Sequence, residues 1–186
     1  MKLEYAVTAK DNNKTVKDIV LDVFKVSHRL LITIKKENAI FLNNVPACLW
    51  NTVCIGDKIT LSLSYLEDNS NIIPKQMPLD IVYEDECYLV INKPAGIPVH
   101  PSMSHYEDSL SSGVRYYFDT IGLNKKIRPV NRLDRNTSGL VVFAKNEYVQ
   151  ECLIRQMKDG AFKKEYITIV EGHFSCKKRN YRCSNF

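Results

Sequence analysis

An acidic residue between two arginines is the group in this sequence best placed to do chemistry. Asp134 lies in the stretch Arg132-Leu-Asp-Arg135, so a cation stands on either side of its carboxylate. A nearby positive charge favours the ionised form of an acid, and an ionised carboxylate serves as a nucleophile or a base. An isolated Arg-x-Asp is more often a structural ion pair beside a turn, so the spacing alone leaves the role of Asp134 open.

The residues that follow Asp134 have the composition of a loop that enters a buried strand. Residues 136–139 combine small polar side chains, which bond the backbone locally, with a glycine that tolerates positive φ. The apolar run 140–144 then has the length of a strand. Loops carried by rigid strands are common positions for catalytic groups, which favours a functional role for Asp134.

The whole segment Asn131-Arg-Leu-Asp-Arg-Asn-Thr-Ser-Gly139 resembles the signature His-Arg-Leu-Asp-x-x-Thr-Ser-Gly of the pseudouridine synthases that modify large-subunit ribosomal RNA and some transfer RNAs. Only Asn131 departs from it, since histidine is usual there, and this variation concerns the subgroup more than the chemistry. The resemblance extends upstream through residues 80–101, which are similar to the first motif of the family's catalytic domain. It extends downstream to Lys164-Glu-Tyr166.

This resemblance implies an enzyme that isomerises uridine to pseudouridine in ribosomal or transfer RNA, with no metal or organic cofactor. Asp134 would be the catalytic carboxylate, and the sequence leaves open whether it attacks the ribose or assists proton removal from it. Tyr166 would stack on the target base, the alternative being an ordinary core aromatic. Arg132 and Arg135 would orient Asp134 or bind flanking phosphates. Because the target nucleotide must leave its stack, an RNA loop is the more accessible substrate.

Residues 1–66 predict a small unit of two helices, a hairpin and a closing strand. Helical spacing gives the first helix, over 16–24, one apolar face, and the second helix spans 27–36. A strand, an Asn-Asn turn and a return strand follow over 39–45, and residues 58–64 alternate as a half-buried strand. This order is similar to the alpha-L RNA-binding domain, which implies that RNA phosphates contact Arg29, Lys35 and Lys36. As charges alone, these three form only a basic helix face.

Residues 67–78 are polar and contain prolines, which suits an interdomain linker. Residues 79–174 then resemble the N-terminal part of the synthase catalytic domain. We predict a buried strand at 89–92, a proline-rich turn at 93–98 and a helix at 108–118 capped by Asp108. A helix at 147–158 and a strand at 164–170 follow. The inward residues of the helix at 147–158 are Val149, Cys152, Leu153 and Met157. The predicted fold class is α+β, with a mainly antiparallel catalytic domain.

The end of the sequence gives rise to a separate hypothesis. Members of the family continue past this point, so we expect a truncated catalytic domain with impaired activity. The tail 175–186 resembles nothing in the family. In A/T-rich codons, residues 177–186 contain a run of adenines, and reading one base later gives Lys-Lys-Gly-Ile-Ile-Asp-Ala-Pro-Ile, which is similar to the family's next segment. We therefore hypothesise a frameshift, which resequencing of that tract tests.

Composition bounds the class of protein. The chain carries 26 Lys and Arg against 21 Asp and Glu, and residues 121–186 hold 14 basic against 6 acidic residues. Such a surface attracts RNA, although a solvated lysine-rich face is the alternative. The six cysteines lack a Cys-x-x-Cys pair, which indicates free thiols, and the four dispersed histidines are assigned structural or surface roles. No apolar stretch reaches the roughly 20 residues of a membrane span. We expect a cytoplasmic monomer that binds RNA and no membrane.

Two rival functions remain open. The first is a non-catalytic RNA-binding fragment or the product of a decayed gene, which differs in its failure to turn over uridine. The second is a sugar-processing enzyme with Asp134 as general base, which is disfavoured because no second candidate carboxylate stands near the motif. The sequence does not identify the RNA or the modified uridine.

Overall fold

The computed structural model describes residues 1–101, 108–169 and 171–172. It combines helices with two antiparallel sheets, which confirms the mixed α and β class and the antiparallel strand pairing. The tail 175–186, with its hypothetical frameshift, lies outside the described residues, as do His105, His173 and the last residue of the predicted strand, Val170. Within the described ranges, no helix has the length and apolarity needed to cross a bilayer.

The first sheet has the strand order β1-β4-β2-β3. Its strands are β1 (Lys2–Ala6), β2 (Ile40–Leu42), β3 (Val45–Pro46) and β4 (Lys58–Ser62). The hairpin and the closing strand are confirmed, with Ile59 of β4 facing Tyr5 on one side and Leu42 on the other. Strand β1 is an addition to the predicted elements, in which Leu3 and Tyr5 alternate with polar residues and pack on the core.

Two predicted helices pack on this sheet. Helix α1 (Val16–Asp22) begins with a capping box in which Thr15 accepts from the backbone N–H of Asp18 and Asp18 accepts from that of Thr15. Helix α2 (His28–Lys36) has Ser27 as its N-cap, whose hydroxyl accepts from the backbone N–H of Leu30. The predicted apolar face of α1 is buried, and it forms the core together with α2 and β4. A 3₁₀ turn at Ala9–Asp11 precedes α1.

The hairpin turn between β2 and β3 uses two asparagines with left-handed backbones, Asn43 at φ 52° and Asn44 at φ 66°. Positive φ at both central positions is the geometry of a type I′ turn, so Asn44 fulfils the role that glycine usually has there. The side chain of Asn43 donates to Asp57 at 2.8 Å and accepts from the backbone N–H of Lys58 at 2.8 Å. The turn is thereby bound to the start of β4.

The second sheet has the order β5-β6-β8-β7. Its strands are β5 (Ile81–Glu84), β6 (Tyr88–Lys93), β7 (Arg128–Pro129) and β8 (Gly139–Ala144). Helices α3 (Leu110–Thr120) and α4 (Glu147–Lys158) accompany it. The strands predicted at 89–92 and 140–144 are confirmed, and their buried side chains pack with α3 in one core, which contains Leu89, Ile91, Val114, Phe118, Val141 and Phe143.

Three details differ from the sequence prediction. Helix α3 is capped by Ser109, whose hydroxyl accepts from the backbone N–H of Ser112 at 3.1 Å, and Asp108 pairs with Lys75 instead. The predicted helix also contains Gly113, where a Cβ would lie 2.6 Å from Cγ of Met77, so that any larger residue would displace the Met77 side chain. In α4 only Val149 of the predicted inward residues is buried, whereas the other three are half-buried.

The strand predicted at 164–170 is wrong for the part that the structure describes. Residues 164–169 belong to no helix or strand. Tyr166 is 61% exposed, and Ile167 and Ile169 are 102% and 98% exposed. A strand requires a neighbour for its backbone N–H and C=O groups, and no described strand lies beside this segment, so its high β propensity has no effect.

Residues 67–78 form no regular element, but the start of this segment is fixed. The carboxylate of Glu67 accepts two hydrogen bonds from the guanidinium of Arg128, at 2.8 and 2.6 Å, and both side chains are only 9% exposed. The side chain of Asn69 donates to the carbonyl of Lys125 and accepts from the backbone N–H of Ile127. The segment is thus attached along residues 125–128 instead of hanging free.

Candidate active site at the ends of β6 and β8

Two loops leave the second sheet at the same end. Strands β6 and β8 pair in antiparallel register with Lys93 opposite Gly139. The turn 94–98 follows Lys93, and the loop 130–138, which carries Asp134, ends at Gly139. The pairing of β6 with β8 therefore brings the proline-rich turn beside the Asp134 loop.

A set of polar contacts, the loop clamp of Lys93, Gly96 and Arg135, joins these two loops. The backbone N–H of Gly96 donates to the carbonyl of Arg135 at 2.9 Å. In return, Nε of Arg135 donates to the carbonyl of Gly96 at 2.9 Å, and Nζ of Lys93 donates to the carbonyl of Arg135 at 3.0 Å. Gly96 has φ 94°, a backbone conformation that favours glycine. The residue directly after Asp134 is thus fixed by three hydrogen bonds.

Lys93 is the polar centre of the loop clamp. Its side chain is fully buried, and its ammonium donates to the carbonyls of Pro94 and Ile97, both at 2.9 Å, as well as to Arg135. Burial lowers the pKa of Lys93, and the negative charge of Asp134 opposes that shift. The buried ammonium therefore interacts electrostatically with the Asp134 carboxylate while it satisfies carbonyls of both loops.

Asn131 fixes the other end of the Asp134 loop. Its side chain is 7% exposed, donates to the carbonyl of Leu140 at 2.9 Å and accepts from the backbone N–H of Val142 at 2.9 Å. Just before it, the backbone N–H of Val130 donates to the carbonyl of Val142 at 2.7 Å. The amide thus continues the pairing of β7 with β8 beyond the end of β7, because it offers a donor and an acceptor as a peptide group does.

Asp134 itself is exposed at the tip of this supported loop. Its carbonyl accepts from the backbone N–H of Thr137 at 3.1 Å, which closes a turn. Among the described residues, no ion pair joins Asp134 to Arg132 or Arg135, so the structural ion pair that was the alternative role is not formed. The loop backbone is fixed while its carboxylate faces solvent, where a substrate can reach it.

His100 lies on the α3 side of the same region. Its Nδ1 is 3.4 Å from the hydroxyl of Ser111, which donates to the carbonyl of Val99 at 2.7 Å. Burial lowers the pKa of His100, and the positive charge of Arg132 lowers it further. A half-buried imidazole thus lies within the electrostatic influence of Arg132 of the Asp134 loop.

The other predicted site residues lie apart from the loop clamp. Tyr166 follows α4 in the exposed segment without helix or strand. Arg29, Lys35 and Lys36 are on α2, beside the first sheet, where Arg29 approaches Glu147 of α4 at 3.8 Å. Contact of these four residues with RNA stays a prediction.

Lys93 is a functional residue that the sequence-based prediction includes only as part of a turn. The signal that identifies it is alternation, because Leu89, Ile91 and Lys93 occupy every second position of β6 and all three point to the buried face. A lysine in such a position must have buried acceptors. In the described part of the chain, no cluster of three or more His, Cys, Asp or Glu side chains is arranged to hold a metal ion.

A family model matches the part of the chain that holds this site. The model of the RNA pseudouridylate synthase family matches residues 87–184, more than half of the chain, and the matched range contains β6, the loop clamp, Asp134 and α4. The protein therefore belongs to the RNA pseudouridylate synthase family. The match also runs through most of the tail that the sequence analysis set apart.

Among curated proteins, the chain is similar to the ribosomal large subunit pseudouridine synthase D of Neisseria meningitidis serogroup B, with 34% identity over 137 residues, which is 74% of this chain and 37% of that protein. It is similar to the uncharacterized RNA pseudouridine synthase YhcT of Bacillus subtilis, with 31% identity over 176 residues, 95% of this chain and 58% of the relative. The synthase D of Borreliella burgdorferi is 36% identical over 159 residues, 81% of this chain and 47% of the relative.

The chain thus spans between 37% and 58% of the length of these relatives. Among solved structures, the chain is similar to human RNA pseudouridylate synthase domain containing 1, with 27% identity and a TM-score of 0.36. The match covers 44% of this chain and 28% of the human chain.

Proposed function

We propose that this protein binds RNA and converts uridine to pseudouridine, with Asp134 as the catalytic carboxylate. The observation that supports this proposal is an exposed carboxylate on a loop fixed at its start by Asn131 and directly after Asp134 by the loop clamp. The family membership supplies the chemistry that such a carboxylate performs.

The reaction breaks the bond between uracil and ribose, rotates the base and joins ring carbon 5 to the sugar. Asp134 attacks the ribose or takes a proton from it, and in either route its carboxylate must lie against the sugar in a fixed position. A loop held by a buried lysine, an arginine and an asparagine needs little reorganisation to present that carboxylate. Arg132 is exposed on the same loop and serves to bind a flanking phosphate, while Arg135 positions Asp134 through the backbone.

The finer organisation forms part of the proposal. Residues 1–66 act as an alpha-L-like RNA-binding unit in which Arg29, Lys35 and Lys36 contact phosphates. Residues 67–78 connect this unit to a synthase domain over 79–174. The substrate is ribosomal or transfer RNA in the cytoplasm, and the protein acts as a monomer. Tyr166 stacks on the target base once its segment acquires a strand partner, since 164–169 has none among the described strands.

The test is formation of pseudouridine by the 186-residue protein. Total ribosomal and transfer RNA is incubated with the wild-type protein or with Asp134→Asn, which keeps the size of the side chain and removes its charge. The RNA is then digested to nucleosides. Because pseudouridine and uridine have the same mass, they are separated by liquid chromatography and the pseudouridine peak is quantified. We expect pseudouridine above background with the wild type and none with the variant, at equal RNA affinity. Equal pseudouridine formation by both proteins would contradict the role of Asp134.

A non-catalytic RNA-binding protein is the second candidate function. The observation that favours it is the exposed apolar segment around Ile167 and Ile169, which leaves Tyr166 outside any sheet. In this case RNA binds to both the wild type and Asp134→Asn with the same affinity, and neither forms pseudouridine. The same experiment therefore distinguishes the two functions.

A further inference from the structure

A groove on the first sheet unit lies outside the loop clamp. It has a volume of about 190 Å³ and is formed by the C-terminal end of α2 and by the segment that follows β3. Its lining includes Ile34, Lys35 and Asn38 on one side and Leu49 and Trp50 on the other. Trp50 is the only tryptophan in the sequence, and it is 70% exposed.

The backbone around Trp50 is held on both sides. A tight turn brings the N–H of Asn51 to the carbonyl of Cys48 at 3.1 Å, and the side chain of Asn51 accepts from the N–H of Cys48 at 2.5 Å. The carbonyls of Leu49 and Asn51 accept from the first N–H groups of α1, each at 2.9 Å. Trp50 is thus fixed in place without being buried, although burial of an indole contributes strongly to stability.

The charges at this groove are mainly positive. Lys35 lines it, and Lys36 follows in the last turn of α2. Glu37, the C-cap of the same helix, is the adjacent acid. The two lysines more than offset both Glu37 and the partial negative charge of the helix C-terminus. A fixed exposed aromatic beside cations is the arrangement that binds single-stranded nucleic acid, because a base stacks on the ring while its phosphate meets the cation.

We propose that this groove binds one unpaired nucleobase of RNA, stacked on the indole of Trp50, with the adjacent phosphate on Lys35. The partner class, RNA, rests on the proposed function, whereas the groove is independent of catalysis by Asp134. An unpaired base is required because both faces of a base within a continuous helix are already stacked. The groove therefore selects loops and single strands over duplexes, in agreement with the need for an accessible uridine.

The single tryptophan allows a direct test, because a base stacked on an indole quenches its fluorescence. The full protein is titrated, at one fixed salt concentration, with single-stranded oligouridylate, with a duplex RNA of equal length and with inorganic polyphosphate. We expect saturable quenching by the single strand and little by the other two. Equal quenching by duplex or polyphosphate overturns the proposal, since charge alone would then explain it, and so does the absence of quenching by any RNA.

Variants test the contribution of the ring. Trp50→Ala should weaken binding of labelled oligouridylate by about 5- to 150-fold, and Trp50→Phe, which keeps a stacking face, should weaken it much less. Ile55→Ala removes an apolar side chain that is 61% exposed and does not line the groove, so it serves as the matched control with unchanged affinity. Circular dichroism verifies folding of each variant. Wild-type affinity of Trp50→Ala overturns the proposal.

Asp134→Asn separates this proposal from the proposed function. Quenching that persists in Asp134→Asn, together with pseudouridine formation by the wild type only, supports both. If RNA quenches the fluorescence but neither the wild type nor Asp134→Asn forms pseudouridine, the groove is supported and the catalytic role is refuted. Pseudouridine formation without quenching supports catalysis and refutes the groove.

Discussion

The two sheets fix their loops over different distances along the chain. In the first sheet, Asn43 of the hairpin turn binds Asp57 and Lys58, which are 14 and 15 residues away. In the second sheet, Lys93 binds the carbonyl of Arg135, 42 residues away, and Arg128 binds Glu67, 61 residues away. The hairpin turn of the first sheet is therefore fixed by residues close in sequence, whereas the loop that carries Asp134 is fixed only when distant segments have assembled.

The two regions also differ in where their charges lie. Lys35, which lines the groove beside Trp50, and Lys36, which follows it, are exposed, which suits contact with phosphates. In the second region Lys93 and Arg128 are both buried, so these cations stabilise the fold instead of contacting a ligand. Loss of a buried charge or of its partner is expensive, whereas loss of an exposed charge is not. Substitutions should therefore have larger effects on stability in the second region.

The largest effect is expected for Arg128→Ala. It leaves the carboxylate of Glu67 buried without its two hydrogen bonds, which should lower the free energy of unfolding by about 3–5 kcal/mol. Urea denaturation followed by circular dichroism measures this loss. The double variant Arg128→Met with Glu67→Met should recover most of it, because neither member of this pair is then left buried without the other. A loss below about 1 kcal/mol for Arg128→Ala, the range of exposed pairs, would remove the distinction between the regions.

Lys93→Met should have the next largest effect. Methionine keeps an unbranched side chain of similar length, but the carbonyls of Pro94, Ile97 and Arg135 lose their shared donor. We expect a decrease of about 1–3 kcal/mol in the free energy of unfolding, because the carbonyls of Pro94 and Ile97 lose their donor, whereas that of Arg135 keeps the N–H of Gly96. Urea denaturation measures it, and Lys126→Met, at an exposed lysine, is the control, with a change within about 0.5 kcal/mol. Equal stability of the two variants would show that the loop clamp contributes little.

The elements that the sequence predicts are those whose signal lies within the element itself. Helices α1 and α4 and strand β4 follow from apolar spacing, because their buried faces repeat with the period of the element, and strands β6 and β8 follow from short apolar runs. The Asn-Asn turn follows from residues that accept positive φ. The position of Asp134 on a loop before a strand was likewise predicted from composition.

The remaining features depend on partners that spacing does not reveal. The amide of Asn131 extends the pairing of β7 with β8, and nothing in the local sequence indicates the strand that it meets. Lys93 carries a readable signal, since it alternates with Leu89 and Ile91, but its acceptors lie in a distant loop. The segment 164–169 has the composition of a strand but no neighbour among the described strands, so composition alone gave a wrong prediction there.

Two substitutions in the hairpin turn of the first sheet should change the free energy of unfolding by smaller amounts and in opposite directions. Asn44→Gly relieves a left-handed backbone at φ 66° and should raise the free energy of unfolding by about 0.5–1 kcal/mol. Asn43→Gly relieves a similar backbone but removes the bonds to Asp57 and Lys58, and should lower it by about 1 kcal/mol. Urea denaturation of both variants measures this, and the same sign for both would contradict the role of the Asn43 side chain.

The smallest effect concerns acid stability in the first region. The hydroxyl of Tyr5 and then the ammonium of Lys14 lower the pKa of Asp11 from 3.8 to about 2. Because the pKa is lower in the folded state, Asp11 stabilises the fold above pH 3.8, and this contribution is lost as the pH falls through about 2. Urea midpoints of wild type and Asp11→Asn should therefore converge between pH 5 and pH 2. Midpoints that stay equally far apart would contradict this assignment.

The most direct test of the central claim is release of tritium from RNA labelled at uracil carbon 5, which occurs when that carbon forms its new bond to ribose. Wild type and Asp134→Asn are compared at RNA concentrations that saturate both, with binding monitored in the same samples. We predict tritium release by the wild type and none by Asp134→Asn, although both bind the RNA. Release at the same rate by Asp134→Asn would contradict the account, because the loop clamp would then support a carboxylate that the reaction does not use.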